Sequence, residues 1–349
     1  MAYSSIIKPS DYFNTKLYTG TGAENAVTGV GFQPDFTWLK NRATTNHHTL
    51  FDAVRGANKV IYSNLNAQQY TVTQELKSFD SDGFTVGTEA SANGSGNGIA
   101  SWNWKANGAG SSNTDGSITS TVSANDTAGF SIVKYTGTGS AGNVGHGLST
   151  APKVLINKSI SGANDWFVGH SSIGFTKFLK LNATNAESTN SGIWNDTAPT
   201  TDHFTINSAN GNTNATGVEY ITYCFAEKKG FSKFGSYTGN GSADGPFLYT
   251  GFKPAFIIIK NTSDAAKNWV MLDNKRPSTG QNPADDILFP NTNGAESSSQ
   301  TDRLVDFVSN GVKIKATSGQ MNGSGNTHIF MAFAEEPLVS SNGVPATAK

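Results

Sequence analysis

Tyr18-Thr19-Gly20-Thr21-Gly22 opens a phrase that this chain writes three times, returning as Tyr135-Thr136-Gly137-Thr138-Gly139 and Tyr237-Thr238-Gly239-Asn240-Gly241. Each copy leads through a loop to a proline-containing apolar run. The runs are Gly31-Phe32-Gln33-Pro34-Asp35-Phe36-Thr37-Trp38-Leu39-Lys40-Asn41, Pro152-Lys153-Val154-Leu155-Ile156-Asn157-Lys158 and Gly251-Phe252-Lys253-Pro254-Ala255-Phe256-Ile257-Ile258-Ile259-Lys260-Asn261. A spacing of roughly 100 to 120 residues is too long for solenoid units and suits a whole small domain. The chain therefore reads as one domain written three times and diverged. Repeat 1 covers 1–108 with an extended N-terminal arm, repeat 2 covers 109–229, and repeat 3 covers 230–349 with an extended C-terminal tail.

The strand before each phrase alternates apolar and polar residues, as in Phe130-Ser131-Ile132-Val133-Lys134-Tyr135, which gives it one buried face. Pro34, Pro152 and Pro254 enter the next strand at its first residues, where a missing N–H is tolerated. That strand is the most apolar of each copy and is expected at the centre of a sheet. Asp82-Gly83 and Asn310-Gly311 mark tight hairpin turns. Each copy closes on an aromatic strand, and Trp104, Phe225 and Phe333 occupy matching ends of it. No long amphipathic pattern interrupts these short strands. The fold class expected is all-β, three related antiparallel β-sandwiches of jelly-roll or Greek-key type. Residues 106–117 carry no apolar stretch and read as a linker or long surface loop. Glu227-Lys228-Lys229-Gly230 leaves so little slack that repeats 2 and 3 are expected to pack together.

Charged residues make up 15% of the 349, and the formal net charge is -1, so there is no basic field to attract nucleic acid or an anionic membrane surface. Hydrophobic content of 36% is enough for packed cores. The start of the chain lacks the pattern of a signal peptide and no run approaches a membrane span, so synthesis and assembly in a cytoplasm are expected, without membrane insertion. Cys224, the single cysteine, lies in an alternating apolar run and reads as a small buried strand residue.

Residues that carry chemistry are sparse, and neither a catalytic constellation, a metal site nor a cofactor is expected. His47 and His48 are adjacent, so on a strand they point to opposite faces and cannot chelate together. Asp80-Ser81-Asp82-Gly83 begins like a calcium loop but lacks the downstream bidentate Glu, and reads as a polar turn. Asp285-Asp286 has no counterpart in the other copies. Glycan cleavage needs two carboxylates about 5 to 10 Å apart; Glu75, Glu89, Glu187 and Glu219 fall at unrelated positions of the repeat. Asp52 and Arg55 correspond to Asp273 and Arg276, whereas repeat 2 has His170 and Ile173 there. A local bridge closing a turn explains such a pair. Of the six tryptophans, Trp38, Trp102, Trp104, Trp166 and Trp269 fall in strands. Trp194 stands in a polar stretch and is the candidate ligand-binding residue, an exposed platform for sugar stacking.

Lys8-Pro9-Ser10-Asp11-Tyr12-Phe13-Asn14-Thr15-Lys16-Leu17-Tyr18-Thr19-Gly20-Thr21-Gly22, together with Val30 to Lys40, Asp52-Ala53-Val54-Arg55-Gly56 and Trp102-Asn103-Trp104-Lys105, resembles a domain of virion-associated proteins of tailed bacteriophages. Many of these phages are marine, and the proteins are often labelled tail fibre or structural protein. The resemblance is good over repeat 1 and weaker over repeats 2 and 3. It implies a place on a virion and transfers no active-site residues. The function expected is a non-enzymatic virion surface protein, either a tail-fibre, receptor-binding or adhesion component or a capsid decoration or head-fibre protein. A glycan-cleaving tailspike-type enzyme is a distant third. Expected partners are other virion proteins and further copies of the chain as a homo-oligomer, with a host-surface glycan or receptor as candidate ligand.

Overall fold

The apolar runs form the strands Phe36–Asn41, Val154–Ser159 and Phe252–Asn261, each buried along its whole length in a computed structural model that describes residue 4 and residues 6–207, 211–277, 280 and 282–339. The expected tail at 340–349 lies outside the described residues. A strand is buried on both sides only when each face meets a separate apolar layer. In repeat 1 Leu39 packs beneath a small sheet with Phe84 and Val86, while Phe36 and Trp38, on the opposite face, enter a core that contains residues of all three repeats. Repeat 2 divides the same way, with Leu155 on one side and Val154 and Ile156 on the other.

Each repeat is a β-sandwich, a main antiparallel sheet against a smaller one. In repeat 1 the main sheet runs Phe13–Thr19, Gly98–Trp104, Phe36–Asn41, Thr49–Asp52, Lys59–Tyr62 and Tyr70–Thr71. The closing strand inserts between the opening and second strands, as Glu219–Phe225 and Thr327–Pro337 do in repeats 2 and 3. The small sheets are Asn25–Thr28, Gly83–Val86 and Leu76–Asp80 in repeat 1, Gly142–Gly145 with His203–Ile206 in repeat 2, and Phe247–Tyr249, Gly311–Ile314 and Val305–Val308 in repeat 3.

Residues 106–117 are a correction to the expected linker. Asp35 Oδ2 and Oδ1 accept from Ala106 N (2.7 Å) and Gly108 N (3.1 Å), and Ser111–Asn113 then adds an edge strand to the main sheet of repeat 2. Backbone pairing needs no apolar side chains, which is why composition concealed it. The N-terminal arm is also docked: Ile6 is buried in the shared core, and the Tyr12 ring meets Phe231 edge-on at 6.1 Å.

The shared core is organised as a pseudo-threefold ring. Trp104, Phe225 and Phe333 form a triangle with centroid distances of 6.4, 5.6 and 5.8 Å, every pair edge to face. Such pairs contribute about 0.5–1.5 kcal/mol each beyond area burial. A void of about 20 Å³ beside them is lined only by apolar groups, including Phe36, Ile156 and Ile258, so it is a packing defect with nothing to hold a water.

The repeated phrase is a clasp, and its partner is a buried asparagine. Asn93, Asn214 and Asn322 each accept through Oδ1 from the fourth residue of the phrase (2.8, 2.8 and 2.9 Å) and through the carbonyl from the fifth (2.8, 2.9 and 2.8 Å). The tyrosine hydroxyl of each phrase donates to the carbonyl just before that asparagine. At the first glycine a Cβ would lie 2.2–2.3 Å from a carbonyl oxygen, and the second glycine has φ near +70°. Tyr, Gly and Gly are thus required by a hydroxyl bond, a close approach and a left-handed backbone in turn.

Asn93→Ala removes the Oδ1 acceptor and the Nδ2 donor that meets the Gly87 carbonyl at 2.7 Å. It is expected to lower the unfolding free energy by about 2–3 kcal/mol through buried groups left unpaired. Urea denaturation measures this, and a loss below about 0.5 kcal/mol would show that the clasp is not a stabilising element.

Candidate functional site

Trp194 is a correction. It ends the short helix Ser191–Trp194, whose N-cap Asn190 accepts from Gly192 N at 2.8 Å, and its ring is 1% exposed. The indole turns inward beside Gly169, where a missing Cβ leaves room, and meets Phe175 edge-on at 6.3 Å. A ring enclosed in this way offers no face to a sugar. The histidine pair diverges: His48 Nδ1 accepts from Trp38 Nε1 at 2.9 Å, and His47 Nδ1 faces the Asn64 amide at 2.8 Å. The Asp82 carboxylate accepts from Gly29 N (2.9 Å) and Gly31 N (2.7 Å), which hold its pKa below the ordinary value. Among the described residues no group of three or more His, Cys, Asp or Glu is placed to hold a metal ion. Burial raises the Cys224 thiol well above its usual range, so it is an inert core thiol. No described helix is long and apolar enough to cross a membrane.

The Asp–Arg pairs lie at the joints between repeats. In repeat 1, Asp52 Oδ2 accepts from Arg55 Nε and also from the Tyr223 hydroxyl of repeat 2, the latter at 2.8 Å. In repeat 3, Asp273 Oδ2 accepts from Arg276 Nε (2.6 Å) and from Trp102 Nε1 of repeat 1 (2.9 Å). Arg276 also donates to Glu296 at 2.6 Å and lies 5.5 Å from the Trp102 ring centroid. Burial alone would lower the Arg276 guanidinium, but Asp273 and Glu296 outweigh it and hold the group above its ordinary pKa. The bridge that closes a turn is therefore also the acceptor that fastens the neighbouring repeat.

The third joint replaces these parts together. Met331 stands where Trp102 and Tyr223 stand in their repeats, and it has no donor to offer. An aspartate facing it would be a buried charge without that partner. Repeat 2 has His170 instead. Its Nδ1 accepts from Ser172 N at 3.1 Å, so Nε2 carries the proton and donates to the Phe330 carbonyl of repeat 3 at 3.3 Å. Burial lowers this imidazole to about 4 and keeps it neutral.

Main-chain bonds close the same circuit. Gln69 N donates to the Ile160 carbonyl (3.0 Å), Glu187 N to Thr262 (3.0 Å) and Glu296 N to Arg42 (2.8 Å), so each repeat holds the next and the third holds the first. Lys40, Lys158 and Lys260 add a buried ammonium per repeat. Lys158 Nζ donates to the carbonyls of Ser159 (2.7 Å) and Asn66 (3.3 Å), and Lys260 Nζ to those of Lys267 (2.7 Å) and Thr184 (3.3 Å). Both reach into the preceding repeat. Lys40 is capped by the carbonyls of Asn41, Thr44 and Asn46 in its own loop. Burial lowers Lys158 to about 7, and Lys40 and Lys260 to about 8. The lysine at the end of each apolar run was visible in the sequence as a repeated feature, but its role was not.

Of the four glutamates set apart above, Glu187 pairs with Lys177, and Glu219 with Lys134 at 2.7 Å. Glu75 and Glu89 meet at one cleft, although they stand 14 positions apart in sequence. The signal that marks the buried asparagine of the clasp is Asn93-Gly94-Ser95-Gly96-Asn97, written again as Asn322-Gly323-Ser324-Gly325-Asn326.

Asp52→Ala leaves Arg55 buried without its carboxylate and is expected to destabilise the chain by about 3–5 kcal/mol. Tyr223→Phe should cost about 1 kcal/mol alone and less in the Asp52→Ala background, where its hydroxyl keeps only the 3.4 Å bond from Arg55 Nη2. Additive losses in urea denaturation would contradict the joint. A second prediction concerns pH. The three lysines have lower pKa values folded than unfolded, so between about pH 7 and 10 the unfolded chain binds more protons and stability rises with pH. The urea midpoint should rise from about pH 7 to about 8.5, by at most about 1.4 kcal/mol per lysine per pH unit. Lys158→Met should flatten that rise, and an unchanged slope would remove Lys158 from the account.

Comparison with curated proteins and with solved structures gives no match. A family model, described as a domain of unknown function (DUF7483), matches residues 8–337 and so spans all three repeats as one unit. The chain belongs to the DUF7483 family.

Proposed function

We propose that this chain is a non-enzymatic surface protein of a tailed-phage virion, a tail-fibre, receptor-binding or adhesion component that acts through protein and glycan contacts. The observation that carries this reading is where the fold places the charged groups that recur between repeats. Asp52, Arg55, Asp273, Arg276 and the three lysines are all enclosed within the repeats or their joints, where they fasten the ring and no substrate reaches them. The wording of repeat 1, with its likeness to phage virion domains, supports the place of action. One chain supplies the threefold arrangement that a fibre otherwise builds from separate copies. Further copies and other virion proteins would then assemble on an already closed body.

Capsid decoration, or a head fibre, is the second reading. The ring favours it in one respect: a body with three related faces meets a threefold lattice site with a single copy. Immunogold labelling of particles with an antibody to this chain separates the two. Label at the tail tip is expected for the fibre component and would exclude decoration, label spread over the capsid would reverse that order, and unlabelled particles would end the virion reading.

A further inference from the structure

The carboxylates Glu75 and Glu89 border an open cleft of about 430 Å³ on repeat 1, whose other walls are Tyr62, Val72, Thr73 and Gln74. That volume lies within the range of small-molecule sites, about 300–1,000 Å³. The cleft is held by two main-chain bonds, Gly87 N to the Glu75 carbonyl and Glu89 N to the Gln74 carbonyl, both 2.8 Å. Glu75 is 4% exposed; Oε1 accepts from Ser91 Oγ at 2.8 Å, and Oε2 has no partner. A buried carboxyl oxygen left unpaired costs about 1–3 kcal/mol, and no element of the fold uses it. Glu89 is equally unexplained by local structure. It stands at the N-cap position where repeat 3 has Ser318, whose hydroxyl accepts from Gln320 N, and Glu89 makes no such cap. Tyr62 is the aromatic residue of the lining, and Tyr70, 46% exposed, lies outside it with its ring centroid 6.0 Å from that of Tyr62.

We propose that this cleft binds a neutral saccharide unit, with Glu75, Glu89 and Gln74 as hydrogen-bonding groups and Tyr62, in contact with Tyr70, as the apolar wall. The combination selects the ligand class. A hydroxyl donates and accepts, so a hydroxyl-rich ring that draws the enclosed Glu75 oxygen into the cleft satisfies it together with the exposed Glu89 carboxylate and the Gln74 NH2 group, the Gln74 oxygen being already engaged by Thr88. Its C–H faces suit an aromatic surface. An anionic sugar would meet Glu89 with like charge. A hard cation prefers several ionised oxygens, whereas burial raises Glu75 to about 7 and thereby favours its neutral, donating form. Neither repeat 2 nor repeat 3 carries the pair, so the site belongs to repeat 1 and to loops that the duplication did not preserve. It deepens the surface-recognition reading by naming a ligand class, and rests on that reading only for the source of the sugar.

The test is saturation-transfer NMR on the full chain with glucose, galactose, mannose and N-acetylglucosamine, beside glucuronate and sialic acid. Transfer to at least one neutral sugar and to neither acidic one is expected. Tyr62→Ala and Glu75→Gln should each weaken binding at least tenfold with the fold retained by circular dichroism, while Tyr249→Ser, an exposed aromatic of repeat 3, should not. Glu89→Gln, at an exposed position, serves if Glu75→Gln fails to fold. Absence of transfer from every neutral sugar would overturn the proposal, as would binding unaffected by the repeat 1 variants. So would calcium chloride alone shifting the Tyr62 and Tyr70 resonances in the wild type but not in Glu75→Gln. Sugar binding without label on any particle would refute the virion setting and leave the site standing, and label without sugar binding would do the opposite.

Discussion

Everything in this molecule depends on three sheets sharing one core. Each repeat has two apolar faces to bury and only one small sheet of its own to cover them. The second face is left for the other two repeats, and the Trp104–Phe225–Phe333 triangle is where those three faces meet. Rings tilted steeply against one another, at 63° to 77°, fill the junction without a face-to-face sandwich. Without that junction the central strands Phe36–Asn41, Val154–Ser159 and Phe252–Asn261 would expose half of their side chains. The repeats are therefore domains by sequence and a single body by packing.

The polar joints give the ring its order. A shared apolar core is non-directional, but a buried carboxylate that accepts from a named donor on the next repeat is not. The two Asp–Arg joints and the histidine joint each point from one repeat to its neighbour, as do the three main-chain bonds. Met331 without a donor and His170 without an acid occur together, so no buried carboxylate at that joint lacks its partner. Symmetry has been relaxed at one joint without breaking the circuit.

Much of the architecture was legible because it obeys local rules. Alternation, turn glycines and the placement of Pro34, Pro152 and Pro254 gave strand positions and the all-β class. The linker was misread because Ser111–Asn113 pairs through its backbone, which composition does not register. Trp194 was misread because polar neighbours suggested exposure, whereas the ring's position was set by Gly169 on a distant strand. The Glu75–Glu89 pair was invisible for the same reason. Two carboxylates become a site only when two loops are zipped together by main-chain bonds.

The sequence alone determined the number of repeats, their β character and the apolar strands at the centre of each sheet, since each follows from backbone preference or side-chain periodicity. Tertiary structure alone decided that the repeats close on one another, that Asp52 and Asp273 serve their neighbours, that three lysines lie buried against carbonyls, and that Glu75 has an oxygen without a partner. These are contacts between residues far apart in the chain. Such contacts follow from how whole faces pack, and no local pattern of residues encodes a packing partner.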